Sequence, residues 1–221
     1  MRSPFMSGIL HLAAAIALTL AAASAFPSPP ASREQALADL KSPVAERRAE
    51  AVGWVASHGS MQDTGLLAKH LRDASALVRD FAEQGLWLLW SRSGDPAIDA
   101  IMARGVDEMQ AGRHAEAIAT FSEVIRRRPD FAEAWNKRAT VRFLAGQYRE
   151  SLADCDEVLR RNPRHFGALS GAGQIQFELG NDAQAIRWWR RALEVNPNLP
   201  GVESNIERAE DRLREKREHT T

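Results

Sequence analysis

Residues 135–163 read WNKRATVRFLAGQYRESLADCDEVLRRNP, and the fold of the chain turns on this stretch. It reads as two helices, broken at Gly146 and stopped at Pro163. Moved in either direction by the interval that separates Gly112 from Gly146, it meets itself again. Gly112, Gly146 and Gly180 come into register, as do Pro129, Pro163 and Pro197. So do Gly105, Ala139 and Gly173; Ala117, Ser151 and Ala185; Phe121, Cys155 and Trp189; and Val124, Val158 and Ala192. A fixed period of this length marks a repeat architecture, in which each unit buries its apolar face only against its neighbours.

Each column has a physical reason. The glycine column ends the first helix of a unit, where a left-handed residue is needed and only glycine adopts it without steric cost. The proline column stops the second helix, because proline lacks the donor and clashes with the preceding turn. The columns at Gly105 and Ala117 are small so that the two helices of a unit can approach closely. The Phe121/Cys155/Trp189 column is the plug between units. Cys155, the chain's single cysteine, therefore stands at a core position and is expected to be buried and inert. The pattern gives three units, 98–131, 132–165 and 166–199.

These columns resemble the tetratricopeptide (TPR) family, most clearly in the middle unit through Trp135, Gly146, Tyr148, Ser151 and Pro163. Ile101 and Leu169 stand in for Trp135 in the outer units, one apolar anchor for another. The stretches 135–140 and 163–171 are similar to a group of bacterial TPR proteins of exported type. The resemblance implies an all-α, right-handed α-solenoid of helical hairpins whose first helices line a concave groove. It also implies a protein or peptide partner in that groove. Carried over residue by residue, the lining is Asp99, Met102, Val106 and Met109, then Glu133, Asn136, Thr140 and Phe143, then Gly167, Ser170, Gln174 and Phe177. Partner contact is expected from Asn136, Lys137, Thr140 and Phe143 of unit two with Gly167, Ser170, Gly171 and Gln174 of unit three. Chaperone-binding members grip a terminal carboxylate with Lys and Asn at such positions; here only Asn136, with Lys137 beside it, resembles that set.

Unit three breaks a local rule. Its first helix carries Gly167, Gly171 and Gly173, each costing roughly 0.5–1 kcal/mol relative to alanine. Gly173 has a packing reason. Gly167 and Gly171 either admit a partner's backbone to the groove floor or mark a helix that starts late. Arg104 and Arg138 share a repeat column; Arg104 is spaced for an i,i+4 pair with Glu108, and Arg138 is expected to lay its stem along the stack.

Beyond Leu199 the period stops, yet Val202, Ile206, Ala209 and Leu213 keep one apolar stripe at helical spacing, with Ser204, Glu207, Arg208, Asp211 and Glu215 opposite. Residues 200–217 are thus expected to be a capping helix, apolar inside and charged outside. Upstream, 32–92 carries a weaker repeat of slightly shorter period, pairing Leu40 with Leu71, Ser42 with Asp73, Arg48 with Arg79, Ala51 with Ala82 and Val55 with Leu86. The Asp73, Val78-Arg79, Ala82 pattern resembles HEAT-type helical repeats, including the short form found in bilin lyases. Trp54, Trp87 and Trp90 are expected in its core, and 91–96 breaks the pattern as a junction.

The 29 basic residues balance 29 acidic ones, so the basic footprint of a nucleic-acid binder is missing and no nucleic-acid partner is expected. Residues 9–25 are almost wholly apolar, follow the single charge of Arg2, and close on Ala23-Ser24-Ala25. That is the plan of a cleavable signal peptide over 1–25, followed by a proline-rich linker at 26–31. One cysteine and scattered histidines give no zinc spacing, and neither metal nor cofactor is expected. His58, His70, His114 and His165 read as surface or turn residues. The expectation is an exported, non-catalytic adaptor, periplasmic or secreted. Its alternatives are an enzyme of bilin-lyase type and a scaffold tethered by an uncleaved first segment, the one case with membrane contact. The mature chain should begin at Phe26, because Ala23 and Ala25 place small side chains where the signal peptidase needs them. Intact-mass measurement of exported protein decides this; retention of 1–25 would favour the tether.

Overall fold

A computed structural model describes residues 27–219, so the expected signal segment lies outside the described residues. Among these, eleven α-helices and one short 3-10 turn account for the regular structure, with no strand. The chain divides into two compact units, one built on 27–92 and one on 93–195 with 199–219, the link 196–198 being grouped with the first. No helix among the described residues is long and apolar enough to cross a membrane.

The first unit holds α1 (Arg33–Asp39), α2 (Ala45–His58), α3 (Thr64–His70) and α4 (Ala76–Ser91). Its core follows the register of the weaker repeat: Leu40 and Leu71, Ala51 and Ala82, and Val55 and Leu86 are all buried. Gly85 lets α4 lie close against its neighbours, since a Cβ there would fall 2.9 Å from Ala56 Cβ and 3.0 Å from Leu67 Cδ1. The two repeats are clasped by Arg48, which donates to both carboxylate oxygens of Asp73 at 2.8 and 2.7 Å and to the Ser42 carbonyl at 2.8 Å. Arg79, in the same column, donates to the Asp73 carbonyl at 2.9 Å. The tryptophans depart from expectation. Trp90 is buried, but Trp54 and Trp87 are half-buried, Trp54 stacked on His58 and Trp87 edge-on to Trp90.

The second unit holds α5 (Pro96–Gln110), α6 (His114–Arg127), α7 (Ala132–Leu144), α8 (Tyr148–Arg161), α9 (Phe166–Glu178), α10 (Asp182–Val195) and α11 (Val202–Glu218). Helices pair as α5–α6, α7–α8 and α9–α10, the hairpins stack in chain order, and α11 packs on α10. This is an α-solenoid of helical hairpins. Gly112, Gly146 and Gly180 have φ of +72°, +73° and +79°. At each, the glycine N–H and the next residue's N–H donate back to carbonyls at the end of the first helix, as from Gln147 to Arg142 at 2.8 Å. Such bonds satisfy carbonyls that a helix end leaves without partners. Helix α9 starts at Phe166, so the late-start reading of its glycines falls; the His165 ring accepts from the Ala168 N–H and caps it.

Helix approach within each unit is set at the plug. A Cβ on Gly105 would sit 2.6 Å from the Phe121 ring, and one on Gly173 would sit 2.5 Å from the Trp189 ring. In unit two the small column holds Ala139 and the plug shrinks to Cys155, which is buried among Ala139, Ala172 and Ile175. The volume is conserved: glycine faces an aromatic, alanine faces cysteine. Burial raises the Cys155 thiol pKa far above its ordinary value, with Asp154 and Asp156 adding to the effect. The thiol therefore stays protonated and unreactive. Cys155→Phe alone should cost about 1–3 kcal/mol by overpacking. Adding Ala139→Gly should recover most of that loss, since it restores the pairing of the outer units. Urea unfolding of the two single variants and the double variant measures the coupling.

Candidate functional site

The first helices α5, α7 and α9 carry the expected contact face. Of its eight residues, Asn136, Lys137, Thr140, Gly171 and Gln174 are buried, while Phe143, Gly167 and Ser170 are half-buried. Local bonds hold several of them. Thr140 donates its hydroxyl to the Asn136 carbonyl at 3.0 Å, Gln174 donates its amide to Glu178 at 2.6 Å, and Phe143 lies 5.4 Å from Tyr148.

Glu133 organises the centre of this face. Asn136 donates to its Oε2 at 3.2 Å, Lys137 Nζ stands 3.2 Å from its Oε1, and His165 Nε2 stands 3.1 Å from Oε2. Because His165 Nδ1 accepts from the Ala168 N–H, Nε2 is the nitrogen that carries the proton donated to Glu133. Burial pushes the Glu133 carboxyl up, but Lys137 and His165 together outweigh that and hold it below the usual carboxylate range. His165 corrects the sequence reading, which left it as a surface or turn residue: it is fully buried. Its repeat column, Phe131 and Leu199, was the available signal, for both partners are apolar. Lys137 is corrected too. Its ammonium already faces Glu133, so it is not a free grip for a carboxylate.

A second network ties three helices. Arg138 donates to both oxygens of Asp154 at 2.9 and 2.7 Å and to Ser122 Oγ at 2.9 Å, and Arg142 adds a bond to Asp154 at 2.7 Å. Arg138 therefore does more than lay its stem along the stack: its fork clasps a buried carboxylate, the geometry that arginine suits best. Arg104 has the expected Glu108 at 3.8 Å and also Glu123 at 3.1 Å. The guanidinium carbons of Arg138 and Arg161 lie 4.9 and 4.7 Å from the centroid of the Trp135 ring, and Trp135 donates to the Pro129 carbonyl. Among the described residues, no group of three or more His, Cys, Asp or Glu side chains is placed to hold a metal ion.

Glu133→Ala should cost about 3 kcal/mol of stability at neutral pH, because Lys137 is left buried without its counter-charge. A depressed carboxyl contributes stability above its unfolded pKa, and that contribution is lost as pH falls through the folded value. The difference between wild type and variant should therefore shrink below about pH 4. Urea unfolding across pH 3–7 measures both the size and the direction.

Residues 102–156 and 139–201 match the tetratricopeptide repeat family. A TPR repeat-containing protein of Rhizobium etli is 35% identical over 110 residues, which is 50% of this chain and 54% of that protein. The chain thus spans about half the length of that relative. Among solved structures, the first TPR of Spaghetti (RPAP3), bound to the HSP90 peptide SRMEEVD, superposes with a TM-score of 0.51 at 21% identity, over 52% of this chain and 92% of that one. The Sgt2 TPR domain of Aspergillus fumigatus gives a TM-score of 0.53 at 17% identity, over 56% and 83% of the two chains. At such identities these structures speak for the fold alone. Repeat period, plug columns and glycine turns coincide with the stretch, 102–201, that matches the tetratricopeptide repeat family.

Proposed function

We propose that this protein is an exported scaffold that holds a protein or peptide partner against the first-helix face of its TPR array. The observation that carries the reading is the make-up of that face. Asn136, Thr140, Ser170 and Gln174 follow one another on α7 and α9, where a stack gains more from apolar side chains. Gly167 and Gly171 beside them keep bulk away from the helix surface, at a conformational cost that α9 bears within its span. The peptide-bound Spaghetti (RPAP3) domain shares the fold, and this makes a peptide the occupant to test first.

Binding without chemistry fits the state of the ionisable groups. Glu133, Lys137, His165, Asp154, Arg138 and Arg142 are engaged with one another, so they hold helices together. Residues 1–25 support export, and the Arg48–Asp73 clasp supports reading the first unit as a HEAT-like pair of hairpins. A bulky change at the centre of the face, Ser170→Trp, should weaken partner binding by about 2 kcal/mol, roughly thirtyfold, and leave the helices intact. Arg127→Ala, on the exposed side of α6, should cost little. The measurement is recovery of periplasmic partners by crosslinking and mass spectrometry with each variant, after circular dichroism confirms folding. Equal recovery by Ser170→Trp and wild type would remove the groove from consideration.

A further inference from the structure

In the register of the weaker repeat, Arg47, Trp54 and His58 of α2 stand where α4 has Val78, Gly85 and Leu89. Those three residues of α4 are buried, and Gly85 lies against α2, where its Cβ would fall 2.9 Å from Ala56 Cβ and 3.9 Å from Val52 Cγ1. The equivalent side of α2 stays open: Arg47 and His58 are exposed, and Trp54 is half-buried. A preceding repeat would stack on this side.

The open side carries a pattern of its own. Glu50, Trp54 and His58 follow at i, i+4 and i+8, so they form one stripe along the helix. The Trp54 and His58 rings stack with centroids 4.5 Å apart. His58 Nδ1 is turned to the Trp54 carbonyl at 3.0 Å, which leaves Nε2 for another group. Glu50 makes no ion pair among the described residues, and burial pushes its carboxyl up. Acid, aromatic and base are thus spaced evenly about Trp54. Turned end for end, the same stripe offers base, aromatic and acid. A second α2 running antiparallel therefore complements the first, with tryptophan beside tryptophan and carboxyl opposite imidazole. Such a contact holds one proton between the two groups. An interface of this kind is isologous and closes at two copies. The second unit ends instead on α11, whose exposed Glu203, Glu207, Asp211 and Arg214 suit water, so the open side of α2 has no complement there.

We propose that the open side of α2 is a self-association face. Two copies of this chain pair through antiparallel α2 helices about a two-fold axis near Trp54, which sets Glu50 of each copy opposite His58 of the other.

Sedimentation velocity of the exported chain over a range of concentrations tests this, and a monomer–dimer equilibrium is expected. Trp54→Ser, confirmed as folded by circular dichroism, should weaken the dimer by about thirtyfold, the loss of one central hot spot. Glu50→His and His58→Glu should each weaken it, because each sets like groups against one another across the axis. The double variant exchanges the pair and should restore the dimer, which a merely local role for either residue would not do. Glu50→Cys combined with His58→Cys should oxidise to a covalent dimer while neither single variant does. Cys155 is buried, and two copies of position 50 would lie about 12 Å apart along the helices. A chain that stays monomeric at every concentration would overturn the proposal, whether residues ahead of α1 or a different protein then cover the face. So would a dimer indifferent both to Trp54→Ser and to the exchange of Glu50 and His58.

Discussion

The closeness with which the two helices of a unit approach at residues 105, 139 and 173 governs the whole repeat array. A side chain at Gly105 or Gly173 would overlap the ring that plugs the unit, so the backbone of one helix lies directly against the aromatic face of the other. Unit two meets the same constraint with a different division of volume, Ala139 against Cys155. Interiors pack as densely as crystals, so a methyl group added on one side must be removed on the other. Once these contacts are made, the rotation of each first helix about its axis is set. That rotation decides which residues join the core and which form the face running through Asn136 and Ser170.

Polar groups inside the stack serve a different end. A buried ion pair returns little net stability, because each charge is stripped of water, yet removing one partner strands the other. The cluster of Glu133, Asn136, Lys137 and His165 therefore adds less to the depth of the fold than to its order. Glu133 sits on α7, while His165 caps α9, and their contact forms only when units two and three stack in sequence. At the corresponding positions 131 and 199 the chain uses Phe and Leu, which pack without such a requirement. Asp154, held by two arginines of α7, one of which also reaches Ser122 of α6, does the same for units one and two.

A net charge of zero conceals this arrangement. Many arginines of the array are matched locally, by i,i+3 and i,i+4 pairs on the surface or by bidentate clasps between helices. Surface pairs of this kind contribute little to stability.

The sequence by itself determined the repeat period, the helix ends and the core. These follow from short-range physics: a glycine that must turn left-handed at 112, 146 and 180, a proline that ends a helix, and small residues spaced to face large ones. Such signals recur once per period, so each unit corroborates the next. The tertiary structure decided which charges meet. Nothing local in 131–140 says that Glu133 will find the distant His165, that Lys137 will be spent on Glu133, or that Arg138 will clasp Asp154. Long polar side chains choose partners by position in space, and that position exists only after the apolar columns have packed. The first-helix face was legible as a register of residues, since repeat columns place them; its chemistry was not, because charge pairing across the stack engages polar groups such as Lys137 that the sequence leaves open.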